Sequence, residues 1–124
     1  MNPRAAVKSF RGAAQRLQGG TSLVFFPEGR TSLDGAIQPF KRGGFLLTVQ
    51  SKAIVVPVTI RGSRRVLVPR TYHVHGGVVE VILGNAILQP DLSPAELSDR
   101  VRSEIVATFN NVTTLDWNSH TISR

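Results

Sequence analysis

The sequence predicts an α/β domain in which a mainly parallel sheet is flanked by helices. Short apolar, β-prone segments alternate with segments whose apolar residues recur at helical spacing, the pattern of βαβ units. The chain has 124 residues with 41% apolar side chains, enough for one modest core but not for two. It contains no cysteine, which excludes a disulfide scaffold and a zinc-thiolate site.

The elements follow one another in a simple order. A helix is expected at residues 2–18, followed by a buried strand at residues 21–26 (Thr-Ser-Leu-Val-Phe-Phe). A loop over residues 27–39 leads to a short helix at residues 41–51 and a second buried strand at residues 54–60. Because a helix-length segment separates these two strands, we expect them to pair in parallel.

The second half of the chain continues with strand and helix signals. Pro57 lies inside the second strand and predicts a bulge or an interrupted ladder. A third strand is expected at residues 78–83, and Ser93 with Glu96 has the spacing of a capping box that opens a last helix. Residues 110–124 are polar and predict a weakly ordered tail.

The charge balance favours anionic partners. Fifteen Lys and Arg residues face eight Asp and Glu residues, which gives a net charge of +7. A basic cluster of Arg61, Arg64, Arg65 and Arg70 suits membrane phosphates, the phosphates of acyl-coenzyme A or an acidic carrier protein. An equally open alternative is that these arginines lie in a solvated loop and bind no partner. Nucleic acid is not expected, because few aromatic residues are interleaved with these arginines.

The segment Phe-Pro-Glu-Gly-Arg-Thr-Ser, residues 26–32, is the most informative for chemistry. It follows a predicted strand, where ligands bind in open α/β sheets. Gly29 lets a ligand approach the backbone, and Arg30 offers a planar fork for two phosphate oxygens. Glu28 either holds that guanidinium or accepts a hydroxyl. From these residues alone, a turn with an exposed Glu-Arg pair is equally open.

Three segments in the same order resemble the phospholipid/glycerol acyltransferase family, whose members include the 1-acylglycerol-3-phosphate acyltransferases. They are residues 26–32, residues 39–45 (Pro-Phe-Lys-Arg-Gly-Gly-Phe) and residues 54–60 (Ile-Val-Val-Pro-Val-Thr-Ile). The resemblance runs from about residue 2 to residue 87. It implies a glycerolipid acyltransferase domain that acts in phospholipid biosynthesis.

The resemblance implies an acceptor site and a donor side. The acceptor, a lysophosphatidate-like molecule, is expected to contact five residues: Glu28, Gly29, Arg30, Thr31 and Lys41. The family's usual continuation is Gly-Thr-Arg-Ser, whereas this chain has Gly-Arg-Thr-Ser. The family's phosphate-binding arginine is therefore assigned to Arg30, which lies one position earlier than in the usual motif.

On the donor side, the resemblance places Val56 and Pro57 in the wall of the acyl-donor pocket, although Pro57 is also explained by an irregular sheet. The acyl thioester of coenzyme A or of an acyl carrier protein is the expected co-substrate, and no metal or redox cofactor is expected. No apolar run is long enough to span a bilayer. A full-length enzyme of this kind is expected to lie peripherally on the cytoplasmic side of a membrane.

The family's general base is a histidine in a His-x-x-x-x-Asp motif that precedes the Phe-Pro-Glu-Gly segment. No histidine precedes His73 here. The pattern from His75 to Glu80 has the right spacing, but it ends in Glu instead of Asp and follows the other motifs instead of preceding them. We therefore expect residues 1–124 to be the C-terminal portion of an acyltransferase domain, with no catalytic residue and no activity alone.

Two other functions remain open from the sequence. One is a degenerate, non-catalytic fragment that binds phosphorylated glycerolipid or an anionic surface. The other is an unrelated basic α/β module that binds nucleic acid, which would show salt-dependent binding and no response to glycerol phosphates.

Overall fold

The computed structural model describes residues 12–88 and 91–111. Its elements, in chain order, are α1 (described over residues 12–18), α2 (Gly43–Ser51), β1 (Val58–Arg61), α3 (Ser63–Val66), β2 (Glu80–Leu83) and α4 (Pro94–Asn110). The helix expected at residues 41–51 is confirmed as α2. The start of the first helix, and all but the first two residues of the expected tail, lie outside the described residues. No helix within the described ranges is long and apolar enough to cross a bilayer.

The sheet of the described chain has two strands, and they run antiparallel. β1 pairs with β2 in a register that begins with Val58 opposite Leu83. The expectation of a mainly parallel sheet is therefore wrong. The strands pair antiparallel because of the segment that connects them. This segment forms the single turn α3 and then reverses direction, with an antiparallel bridge between Leu67 and Val74. A parallel pair needs a crossover that returns the chain to the starting end of the sheet.

Residues 21–26, expected as a buried strand, do not form one. No ladder joins them to another part of the described chain. Val24 is 85% exposed and Phe26 is 74% exposed, and the Phe26 carbonyl accepts a hydrogen bond from the Gly29 amide instead. Strand propensity depends on a paired neighbour, so a β-prone sequence without one stays irregular. The expected parallel pairing with residues 54–60 is wrong for the same reason.

The interrupted ladder expected at Pro57 is confirmed. Val55 forms an isolated antiparallel bridge with Ile87, and regular pairing resumes only at Val58. The Gly84 amide closes the gap by donating to the Pro57 carbonyl at 2.8 Å. Proline has no amide hydrogen to contribute to a ladder, which accounts for the break at this point.

The core lies where α2 packs against α4. Its buried apolar residues are Phe45, Val55, Ile87, Leu97 and Val101. Phe45 is fully buried, with Phe25 edge-on at 5.3 Å and Phe40 stacked at 6.1 Å between ring centroids. Phe40 is partly buried against this core, whereas Phe25 and Phe26 are exposed.

The capping box expected at the start of α4 is confirmed. The Ser93 hydroxyl oxygen accepts a hydrogen bond from the Glu96 amide at 3.3 Å, and the Ser93 amide donates to the Glu96 carboxylate at 2.9 Å. Pro94 follows at the first helical position, where its missing amide hydrogen costs nothing. The Ser93 hydroxyl and then its backbone amide hold the pKa of Glu96 below its usual range.

The Ser93→Ala variant is expected to lower the free energy of unfolding by about 1 kcal/mol, because the Glu96 amide loses its acceptor and the Glu96 carboxylate loses the Ser93 hydroxyl donor. Urea denaturation at neutral pH measures the loss, with Ser103→Ala in the exposed middle of the same helix as the matched control. Since the folded pKa of Glu96 is lowered, its contribution is complete above the unfolded pKa and disappears as the pH falls through the folded pKa. An equal loss in both variants would contradict this assignment.

Candidate functional site

The Phe-Pro-Glu-Gly-Arg-Thr-Ser segment forms a tight turn. Gly29 has a φ of +64°, which glycine adopts without the strain that a side chain would introduce. A Cβ at this position would lie 2.6 Å from Lys41 Nζ, so the Lys41 side chain lies directly over Gly29. The Lys41 amide also donates to the Pro27 carbonyl at 2.8 Å. The turn thus brings together two of the residues expected to contact the acceptor, Gly29 and Lys41.

Gln38 connects Glu28 to Arg30. The Gln38 amide donates to Glu28 Oε2 at 2.8 Å, and the Gln38 side-chain oxygen accepts from Arg30 Nη2 at 3.3 Å. The suggestion that Glu28 itself holds the guanidinium is therefore wrong, because Gln38 does so in its place. The sequence did not reveal Gln38, since a glutamine in a polar loop has no pattern that distinguishes it.

The part of the loop that follows Arg30 is closed by hydrogen bonds around the Asp34 carboxylate. One carboxylate oxygen accepts from the Ser32 hydroxyl at 2.8 Å, the Ala36 amide at 3.0 Å and the Gln38 side-chain amide at 3.2 Å. The Ser32 hydroxyl, and after it the Ala36 amide, hold the pKa of Asp34 below its usual range. The carboxylate is therefore ionised at neutral pH and already has partners within its own loop.

Arg64 joins this loop to α3. Its Nη1 donates to the Asp34 carbonyl at 2.8 Å and its Nη2 donates to the Leu33 carbonyl at 2.7 Å. A planar guanidinium that holds two successive carbonyls fixes both the distance and the orientation of the two segments. The loop and the one-turn helix therefore form one unit.

The basic cluster expected from the sequence divides into two pairs. Arg61 forms an ion pair with Glu80 at 2.8 Å, and Arg64 is bound to the loop carbonyls. The side chains of Arg65 and Arg70 are exposed, and they make no hydrogen bond or ion pair within the described ranges. Arg61 is therefore neutralised by Glu80, whereas Arg65 and Arg70 have no such partner among the described residues, and an anionic partner for the cluster stays a prediction.

A surface cavity of about 680 Å³, widely open to solvent, lies between the motif loop and the segment that follows α3. Residues 30–34 and Gln38 form one wall, and residues 67–71 form the other. Arg30 and Thr31, both expected at the acceptor site, line this cavity. The other three expected acceptor residues lie in or against the adjoining turn rather than in the lining.

The expected donor-side residues are not brought to this cavity. The Val56 side chain is 46% exposed and Pro57 is buried at the break in the ladder. Neither belongs to the cavity lining. Their role on the donor side stays a prediction.

The cavity combines cationic and apolar side chains. Arg30 and Arg70 supply two guanidinium groups, and Leu33, Leu67 and Val68 supply apolar surface. Guanidinium groups bind phosphate oxygens through paired hydrogen bonds, whereas the apolar side chains suit a hydrocarbon portion. The arrangement fits an anionic ligand that carries an apolar group.

No histidine belongs to the described lining of this cavity. His75 is exposed, and Glu80, five residues later, is engaged by Arg61. The two therefore do not form an acid-base pair, in agreement with the interpretation of the sequence. Within residues 12–88 and 91–111, no group of three or more acidic or histidine side chains is placed to hold a metal ion.

Comparisons with known proteins agree on one family. The family model described as Acyltransferase matches residues 1–61. A chloroplastic 1-acyl-sn-glycerol-3-phosphate acyltransferase of Brassica napus is 32% identical over 115 residues, which cover 90% of this chain and 32% of that protein. The alpha enzyme of the same name from Ovis aries is 32% identical over 93 residues, or 72% of this chain and 32% of that protein. The chain spans about a third of the length of these relatives.

A solved structure shares the fold. The crystal structure of the 1-acyl-sn-glycerophosphate acyltransferase from Thermotoga maritima superposes with a TM-score of 0.82 at 24% sequence identity. The superposition covers 87% of this chain and 47% of that protein. The described architecture is therefore that of about half of the Thermotoga maritima chain.

Proposed function

Because the chain belongs to the acyltransferase family, we propose that it supplies the acceptor-phosphate site of an enzyme that acylates 1-acylglycerol 3-phosphate. The observation that carries this proposal is the position of Arg30, which lines a cavity with apolar side chains opposite its own loop. A lysophosphatidate has the two matching parts, a phosphate and an acyl chain. Its glycerol hydroxyl is the group to be acylated.

The reaction needs groups beyond those that line the cavity. The acceptor hydroxyl oxygen forms a bond to the thioester carbonyl carbon, the carbon–sulfur bond breaks, and the hydroxyl proton passes through a base to the leaving thiolate. The family's base is the histidine of its His-x-x-x-x-Asp motif, and this chain has no histidine before His73. The role of the described residues is therefore to bind and orient the acceptor.

The acyl donor is the thioester of coenzyme A or of an acyl carrier protein, and we propose that it enters on the side of Val56 and Pro57. The exposed Val56 side chain supplies apolar surface there. We also propose a peripheral position on the cytoplasmic face of an anionic membrane. The unpaired Arg65 and the exposed apolar side chains of Leu67 and Val74 support this proposal.

An arginine series at position 30 tests the phosphate assignment by direct binding of glycerol 3-phosphate to the 124-residue chain. Arg30→Ala is expected to weaken binding by about 10- to 100-fold, the scale of a lost charge-assisted hydrogen bond. Arg30→Lys keeps the charge but loses the fork, so its affinity should fall between those of the wild type and the Ala variant. Isothermal titration calorimetry or amide chemical shifts report the affinities.

Arg100→Ala is the matched control, since it removes one exposed arginine of α4 that does not line the cavity. It should bind glycerol 3-phosphate as the wild type does. If Arg30→Ala and Arg100→Ala weaken binding equally, the net charge attracts the anion and the assignment of Arg30 is incorrect. Equal competition by short nucleic acids would favour the nucleic-acid module instead.

A second candidate function is phospholipid binding without catalysis. It is favoured by one observation, the lack of a histidine in the described cavity lining. A chain of this kind would bind 1-acylglycerol 3-phosphate through the same Arg30 contact and would not respond to an acyl donor.

A further inference from the structure

The second wall of the cavity comes from residues that the family model does not match. That model ends at residue 61, whereas residues 67–71 line the cavity together with the motif loop. Arg64 fixes the two walls relative to each other through its hydrogen bonds to the Leu33 and Asp34 carbonyls. The position of the second wall is thus determined by the same loop that carries Arg30.

Arg70 stands out in this wall because of its backbone. It has a φ of +64°, and besides Lys52 at the end of α2 it is the only non-glycine residue of the described chain with a positive φ. Arg70 adopts this conformation as the third residue of a β-turn, which the Thr71 amide closes on the Val68 carbonyl at 3.2 Å, so the turn places Arg70 in this wall. The Arg70 side chain is also free of hydrogen bonds and ion pairs to the rest of the described residues.

The charges around the cavity leave a net excess of positive charge. The lining contains two guanidinium groups, of Arg30 and Arg70, and one carboxylate, of Asp34. That carboxylate accepts hydrogen bonds from its own loop and forms no ion pair with either arginine. Two unneutralised cations at one cavity suit a ligand group that carries two negative charges.

We infer that Arg70 is a second phosphate-binding residue, which acts with Arg30 on a phosphomonoester and disfavours a phosphodiester. A phosphomonoester is close to dianionic at neutral pH, whereas a phosphodiester carries one negative charge and has fewer free oxygens. The inference rests on the proposed function, because it assumes that Arg30 binds the acceptor phosphate. It adds a residue outside the three motifs and a basis for selecting lysophosphatidate over headgroup-bearing lysolipids.

The test uses glycerol 3-phosphate and glycerophosphocholine as the monoester and diester probes, titrated into the 124-residue chain. Arg70→Gly removes the guanidinium and accepts the positive φ, so it leaves the backbone unstrained. Arg70→Asn is the second variant, since asparagine also tolerates this conformation. Both are expected to weaken glycerol 3-phosphate binding by about 5- to 30-fold and to change glycerophosphocholine binding much less.

Arg65→Gly is the matched control. Arg65 is exposed and belongs to the same basic segment, but it does not line the cavity. The Arg65→Gly variant should leave the preference for the monoester unchanged. Titration with inorganic phosphate and with glycerol separates the contribution of the phosphate to binding from that of the glycerol. Circular dichroism spectra of all variants verify that the fold is retained.

The possible outcomes separate this inference from the proposed function. If Arg30→Ala weakens monoester binding while Arg70→Gly and Arg70→Asn do not, the role of Arg70 is refuted and the acceptor site stands. If neither position matters, both proposals fail. If Arg65→Gly and Arg70→Gly reduce binding to both probes equally, the effect is one of total charge and the inference is overturned.

Discussion

Purified residues 1–124, supplied with acyl-coenzyme A and 1-acylglycerol 3-phosphate, are expected to transfer acyl groups about 10²–10⁴ times more slowly than a relative that carries the His-x-x-x-x-Asp motif. The acceptor hydroxyl must lose its proton as it attacks the thioester, and no histidine lines the described cavity. General-base catalysis of this size corresponds to about 3–5 kcal/mol of activation free energy. The rate is measured from the release of free coenzyme A and from the amount of diacylated product, which is detected by mass spectrometry.

The control for this experiment is binding. The same preparation should bind glycerol 3-phosphate in a manner that depends on Arg30, which separates an inactive fold from an unfolded chain. A rate within about tenfold of that relative would mean that a group of this chain acts as the base. His73 and His75 would then be the first residues to replace.

The second large effect concerns the core. Phe45→Ala is expected to lower the free energy of unfolding by about 3–5 kcal/mol, because the ring is fully buried and its removal leaves a cavity. The ring also contacts the rings of Phe25 and Phe40, so two further aromatic contacts are lost. Urea denaturation followed by circular dichroism measures the change.

Phe26→Ala is the matched control, because it makes the same chemical change at a ring that is 74% exposed. Its effect should stay within about 0.5 kcal/mol of the wild type. If Phe45→Ala leaves too little stability to measure, Phe45→Leu should still show a loss of about 1–2 kcal/mol. Equal effects at the two phenylalanines would show that α2 and α4 do not pack as described.

Local signals in the sequence predicted α2 and α4 but not the single turn α3. α4 begins at its capping box, whose two hydrogen bonds involve only Ser93 and Glu96 and therefore need no knowledge of the rest of the fold. The break at Pro57 is equally local, because the missing amide hydrogen belongs to the residue itself. Features of this kind depend only on residues that are neighbours in the chain, so they can be predicted from the sequence.

The strands were predicted less well because pairing is not local. Residues 21–26 have the composition of a strand, but without a partner in the described chain they remain irregular. The direction of β2 relative to β1 depends on how the intervening segment turns at Leu67 and Val74, which periodicity does not reveal. The apolar pattern indicated where strands could form but not which way they run.

The candidate site was predicted in part for similar reasons. Arg30 and Thr31 line the cavity, and both belong to the loop motif that predicted a binding site. Gln38 was missed because it is a common polar loop residue, and Arg70 was expected only as a member of the basic cluster because it is distant in sequence from the motif. Their positions follow from the loop closure and from the contacts of Arg64, both of which are tertiary.

The hydrogen bonds of Gln38 have a consequence for the thermodynamics of recognition. One amide side chain joins Arg30 to Asp34, while its backbone amide joins Glu28, so hydrogen bonds within the protein already close the loop. A preorganised loop loses little conformational entropy on association, and the ordering cost falls mainly on arginine side chains. Substitution of Gln38 would therefore lower the affinity for a ligand, because the entropy cost of closing the loop would then fall on ligand binding instead of on folding.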